Sequence, residues 1–233
     1  MSRRQRQRGR GQAGLTLIEV VIALAILALM MSLAWSTTST TSRVKRSFEE
    51  LQARAGEIRV SSARMVADVE SAYLSNNEDS SWSDRRTRFI GKEEELEFSS
   101  LGHTALWANA PESEQTMIRY YLDNDREDSS MTDLYRFESR RLANEPGVKP
   151  PGQLDVLVRD VAGVRFQYWD WKDKEWQTSW SSSSNDAQPG RLPSRVMITV
   201  KVAPRGGDAG DEVEYTTQAR LMLQERLNFF ISE

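Results

Sequence analysis

Gly14-Leu15-Thr16-Leu17-Ile18-Glu19-Val20 opens the stretch that decides the fold: residues 15–35 read LTLIEVVIALAILALMMSLAW, twenty-one residues in which Glu19 is the only charged side chain. As an α-helix rising about 1.5 Å per residue, this run is about 31 Å long and matches the ~30 Å hydrocarbon core of a bilayer. Before it stand Arg3, Arg4, Arg6, Arg8 and Arg10, with no acidic residue among the first fourteen. Positive charge beside a span is retained on the cytoplasmic side, so the N-terminus is expected in the cytoplasm and everything after Trp35 outside it. An ordinary secretory signal has the same basic-then-apolar order. Two features oppose that reading. The run is longer than a signal's apolar region and continues through Trp35 into a polar helix, and an acid sits at its beginning.

That acid needs a cation, because an ionisable group in a membrane helix costs about 2.5–3.5 kcal/mol, less near the interface. Cleavage between Gly14 and Leu15 would create one, an α-amino group with a reference pKa of about 8, supplied by a neighbouring subunit. The segment from Gly14 to Val20, with a basic leader before it and an unbroken apolar helix after it, resembles the cleavage motif of type IV pilins and type II secretion pseudopilins. The resemblance implies that a prepilin peptidase cuts after Gly14, removing residues 1–14, and methylates the new N-terminus at Leu15. It also implies that Glu19 is an assembly contact that pairs with that terminus. Leu15 stands where the family usually has phenylalanine, a departure that bears on methylation more than on cutting.

Outward from the span, apolar residues recur at Val44, Phe48, Leu51, Ala55, Ile58, Met65, Val69 and Tyr73, a single helical stripe. The helix therefore continues as an amphipathic half over 36–74, its stripe packed on the protein's own sheet. Its other face, with Arg43, Lys45, Arg46, Glu49, Glu50, Arg54 and Glu57, is read as solvated. From 75 to 233 the period changes to two, in segments at 88–90, 96–100, 117–122, 134–138, 164–168, 196–202 and 213–223. In the clearest pair, Val196, Ile198, Val200 and Val202 share one face, and Val213, Tyr215, Ala219, Leu221 and Leu223 another. The fold class is α+β: a long N-terminal helix, transmembrane then amphipathic, packed on an antiparallel β domain. The resemblance implies the same plan.

Charge excludes some partners. Removing the five leader arginines from 31 basic residues leaves 26 against 34 acidic ones, a net −8. Such a body does not bind nucleic acid through its phosphates. Absent cysteines remove disulfides and thiolate metal sites, and His103, the only histidine, leaves no two-histidine zinc site and reads as a loop residue. The run Asp123, Asn124, Asp125, Glu127, Asp128 spaces oxygen ligands alternately but lacks the glycine and terminal glutamate of an EF-hand loop, so it is read as a solvated hairpin. No catalytic residue, metal or cofactor is assigned, and an enzyme is not expected.

Further blocks narrow the family. Val164-Arg165-Phe166-Gln167-Tyr168-Trp169-Asp170, then Trp176 and Trp180, then Leu192-Pro193 before Val196-Met197-Ile198-Thr199-Val200, resemble the J-type minor pseudopilins. The upstream blocks Leu96-Glu97-Phe98-Ser99-Ser100, Ser113-Glu114 before Ile118-Arg119-Tyr120, and Leu134-Tyr135-Arg136 fit the same pattern. The resemblance implies a single-pass inner-membrane protein with a periplasmic β domain. It implies assembly with other minor pseudopilins in a tip complex that initiates the secretion pseudopilus. A minor pilin of a type IV pilus, or a tip module that binds secreted substrate, is the alternative. Trp169, Trp171, Trp176 and Trp180 carry two readings, inter-sheet packing or anchors for a protein partner, since aromatic residues dominate interface hot spots.

Overall fold

The computed structural model describes residues 16–76, 87–102, 115–140, 151–185, 187–202 and 212–227, with helix side chains described except at 39–44, 47 and 50. The chain divides into two units, Met1–Arg54 and Ala55–Glu233. His103, Ser113, Glu114, Gly14 and Leu15 lie outside the described residues.

In the first unit, helix α1 (Leu17–Glu70) begins; its 54 residues contain no proline and a single glycine, Gly56. Thr16 takes the N-cap position, its carbonyl accepting from the Glu19 N–H at 3.1 Å and the Val20 N–H at 3.3 Å. Glu19 is thus the third helical residue, at the spacing of a Thr-x-x-Glu capping box, where a carboxylate complements the positive end of the helix dipole. Among the described residues, Leu17–Thr38 is the one helical segment long and apolar enough to cross a membrane. Its apolar side chains, among them Leu24, Leu29 and Leu33, are exposed. The hydroxyls of Thr37 and Thr38 donate back to the carbonyls of Leu33 and Ala34 at 3.0 and 2.9 Å, so they do not break the helix's apolar character.

In the second unit, the helix's last turns complete the core of two antiparallel sheets. The strands are β1 (Phe89–Gly91), β2 (Leu96–Ser100), β3 (Thr116–Asn124), β4 (Thr132–Ser139), β5 (Gln153–Val158), β6 (Val161–Asp170), β7 (Glu175–Gln177), β8 (Trp180–Ser181), β9 (Arg195–Val202) and β10 (Val213–Arg220). One sheet runs β5-β4-β3-β2-β1-β8 and the other β10-β9-β6-β7. Alternation sets which side chains meet: Val164, Phe166 and Tyr168 of β6 and Val196, Ile198, Val200 and Val202 of β9 are buried with Leu96, Phe98, Ile118 and Tyr120. Ile58, Met65 and Val69 of α1 close the same cluster.

A buried ionic cluster ties the helix to the six-stranded sheet. Arg136 Nε donates to Asp68 Oδ2 at 2.6 Å, the Tyr120 hydroxyl donates to the same oxygen at 2.5 Å, and Arg136 Nη1 reaches Glu138 at 2.6 Å. Burial, reinforced by the Asp68 carboxylate, pushes the Tyr120 phenol well above its ordinary range. Burial opposes the Arg136 charge, but Asp68 outweighs it and raises the guanidinium further.

Several boundaries differ from expectation. The helix stops at Glu70 rather than 74, because Ala72 bridges Ser100 and the Tyr73 N–H donates to the Ser99 carbonyl at 3.0 Å, turning this stretch into sheet contact. Strand β10 stops at Arg220 rather than 223: the Leu221 N–H bonds the Ser194 carbonyl and the Met222 N–H the last helical carbonyl, Glu70. Along the stripe, Ile58, Met65, Val69 and Tyr73 are buried, whereas Phe48 and Leu51 remain 59% and 64% exposed. On the face read as solvated, Arg54 is buried and Glu57 accepts from the Arg159 N–H at 3.3 Å.

Candidate interaction surface

The four tryptophans part company. Trp169 points to the outer face of the four-stranded sheet, where its register partner on β7 is Trp176; the two rings meet edge-on with centroids 5.3 Å apart. Strand β6 ends at Asp170, so alternation no longer governs Trp171, which is 50% exposed on the turn that follows. Trp180 is 1% exposed, and its indole N–H donates to the Arg191 carbonyl at 3.0 Å. Its place is therefore the core, and the reading of Trp180 as a partner-binding residue is corrected: an indole with its polar edge satisfied internally is a packing element.

Beneath the surface lies a fixed support. Asp170 is fully buried and accepts both guanidinium nitrogens of Arg191, at 3.0 and 3.1 Å, plus the Lys172 N–H at 2.8 Å. Burial works against its charge, but the Lys172 N–H and the Arg191 guanidinium outweigh it and hold the carboxyl below the usual range. Arg191 in turn lies over Trp171 and Trp180, 5.8 and 5.7 Å from their centroids. This bidentate pair sets the turn that presents Trp171.

Across the outer face, register builds rows. Trp176, Trp169, Arg195 and Arg220 form one row over β7, β6, β9 and β10. Further rows hold Gln167, Met197 and Gln218, then Arg165, Thr199 and Thr216. At the far end Lys201 meets Glu214 at 2.8 Å and holds that carboxyl below its usual range. The guanidinium of Arg195 lies over the Trp169 ring at 5.3 Å. Arg165, Arg195, Lys201 and Arg220 were not singled out from sequence. The signal was present, since Arg195 and Lys201 bracket the apolar positions of β9 on its other face.

The remaining sequence-derived sites are in the first unit. Glu19 lies in the first turn of α1, whereas Gly14 and Leu15 precede the described residues. The acidic run forms the β3–β4 hairpin, and among the described residues no group of three or more histidine, aspartate or glutamate side chains could hold a metal ion.

An apolar helix with one acid in its first turn, followed by an antiparallel β unit whose core the same helix completes, defines a pilin-like α+β protein. Residues 36–207 match the family described as type II secretion system protein J, and residues 9–35 match the prokaryotic N-terminal methylation motif. The chain belongs to the type II secretion system protein J family. No curated protein sequence matches it. Among solved structures it is similar to a chain in the crystal structure of the GspK-GspI-GspJ complex from the enterotoxigenic Escherichia coli type 2 secretion system. The identity is 16%, the TM-score 0.44, and the match covers 72% of this chain and 97% of that one.

Proposed function

We propose that the chain is a non-catalytic minor pseudopilin: a single-pass inner-membrane subunit, cut by prepilin peptidase between Gly14 and Leu15 and methylated at Leu15. Its β unit is periplasmic and joins other minor pseudopilins in the tip complex that starts pseudopilus assembly. The observation that carries this reading is Glu19, the lone charge of the apolar segment, placed in the first helical turn of a chain from the protein J family. A carboxylate at that depth is stabilised by a cationic α-amino group from a neighbouring subunit, which only the cleaved chain of that neighbour provides in the right place. The methylation motif over residues 9–35 supports the same site of processing.

Gly14→Val tests it. Intact mass of the membrane-extracted variant is expected to retain the arginine-rich leader and to lack the methyl group that the unaltered chain carries. Leu15 as the N-terminus of that variant would sink the assignment. Glu19→Ala is expected to be cut normally yet to lose co-purification with its pilin-like partners, which separates processing from assembly.

A further inference from the structure

Arg195 and Arg220 are opposed directly across β9 and β10 on the exposed face of the four-stranded sheet. Like charges opposed across an antiparallel pair destabilise the sheet. Their neighbours show the usual remedy: Lys201 is paired with Glu214 at 2.8 Å, and Arg165 with Glu93 at 3.2 Å. Among the described residues, no carboxylate lies within ion-pair distance of Arg195 or Arg220. Arg195 is instead held over the Trp169 ring, 5.3 Å from its centroid. A local conflict of this kind, left without an ion-pair partner among the described residues, marks a functional position.

The surroundings define what compensates it. The face is cationic on a chain whose body carries −8 once the leader arginines are set aside. The row Trp176-Trp169-Arg195-Arg220 extends about 14 Å across three strand spacings, joining an apolar aromatic end to a doubly cationic end. Tryptophan and arginine are the residue types enriched at protein interface hot spots. An anionic membrane fits less well, because its uniform phosphate surface would cover Glu93 and Glu214 as well as the two arginines, whereas a protein can set its carboxylates against Arg195 and Arg220 alone.

We propose that this outer face, centred on Arg195 and Arg220 beside the Trp169–Trp176 pair, is the contact surface for a carboxylate-bearing face of another protein subunit. It rests on the reading above in taking that subunit to be pilin-like. The partner's acidic side chains sit between the two guanidinium groups, and an apolar side chain lies on the tryptophan end. The two arginines therefore trade stability of the free chain for association.

The test uses the full-length chain in producing cells, with a photo-crosslinking amino acid in place of Gln218, on the same face, and separately in place of Phe48, on the exposed part of the helix. Position 218 is expected to yield an adduct with an identified Asp- or Glu-bearing peptide of a pilin-like subunit. R220E is expected to lower that yield at least about tenfold, the effect of losing one close charge contact. The same substitution is expected to raise the melting temperature of the purified chain, because it turns an opposed like-charge pair into an ion pair with Arg195, which a purely structural role for Arg220 would not do. Changing the identified acid to lysine in the partner is expected to restore the adduct with R220E. Adducts to lipid alone, or a yield unmoved by R220E, overturn the proposal. Adducts to pilin-like subunits from position 48 but none from 218 overturn this surface and leave the proposed function standing; none from either position, in a chain that carries the unaltered leader sequence, overturn both.

Discussion

Asp133 is 1% exposed, and the Asp160 N–H donates to its Oδ1 at 2.8 Å while its Oδ2 has no donor. Asp125 lies within hydrogen-bonding reach, its own oxygen occupied by the N–H groups of Glu127 and Asp128 at 2.6 and 3.0 Å. Two carboxylates cannot both be charged there at no cost, so the second ionisation of the pair is the harder one. Burial first, and Asp125 next, push Asp133 above the usual carboxylate range, while the N–H bonds hold Asp125 below it. A raised native pKa means that the folded state keeps a proton which the unfolded chain releases near pH 3.9. The resulting stability is present at low pH and disappears as pH climbs through the native value. Asp133→Asn keeps the acceptor for Asp160, adds a donor for Asp125, and cannot ionise. Urea midpoints of the detergent-solubilised chain between pH 3.5 and 8 are expected to favour the variant increasingly as pH rises, and then to level off once Asp133 is ionised in the folded state as well. A gap that is constant or shrinks with pH would refute the upward shift of Asp133.

Among the elements, the short strand β1 decides how closely the two sheets approach. A Cβ on Gly91 would fall 2.2 Å from Tyr168 Cζ and 2.3 Å from its hydroxyl, and that hydroxyl donates to the Lys92 carbonyl at 2.8 Å. Glycine is needed here for space. Gly91→Ala is expected to cost about 1–3 kcal/mol, read as a lowered melting temperature. In a Tyr168→Leu background, where the ring is gone, the same change is expected to cost clearly less; equal costs in both backgrounds would show that the contact is not the cause. Elements with a sustained period of two, such as β9 and β6, were legible because each buries one set of alternating side chains. The strands β7 and β8 were not, since three and two residues carry no period and exist only through pairing with Tyr168, Trp169, Asp170, Ile90 and Gly91. Strand β5 escaped for a different reason: as an edge strand it leaves Val156 exposed, so its apolar residues do not sort to one face. At the candidate surface, Trp169 facing away from Phe166 and Tyr168 was legible from alternation. Burial of Trp180 and the Asp170–Arg191 pair, 21 residues apart, depend on tertiary approach that no spacing encodes.

For the whole molecule, the division at Ala55 separates an apolar span from a unit that contains its entire core. Residues 55–70 belong to the core by energy as well as by contact. Ile58, Met65 and Val69 are fully buried, each contributing about 1.5–3 kcal/mol. Asp68 also neutralises Arg136, which is buried; removing one partner of such a pair costs about 3–5 kcal/mol. Together these come to about 8–14 kcal/mol, as large as the whole stability of an ordinary domain, about 5–15 kcal/mol. A fragment beginning at Ala55 is therefore expected to be soluble without detergent and to unfold cooperatively in urea, with tryptophan fluorescence and far-ultraviolet circular dichroism coincident. A fragment beginning at Ser71 is expected to show no cooperative transition, because the sheets keep the buried Arg136 and Tyr120 but lose the carboxylate they share. Cooperative unfolding of the shorter fragment at the same midpoint would mean that the sheets alone specify this unit and that the helix merely rests on them.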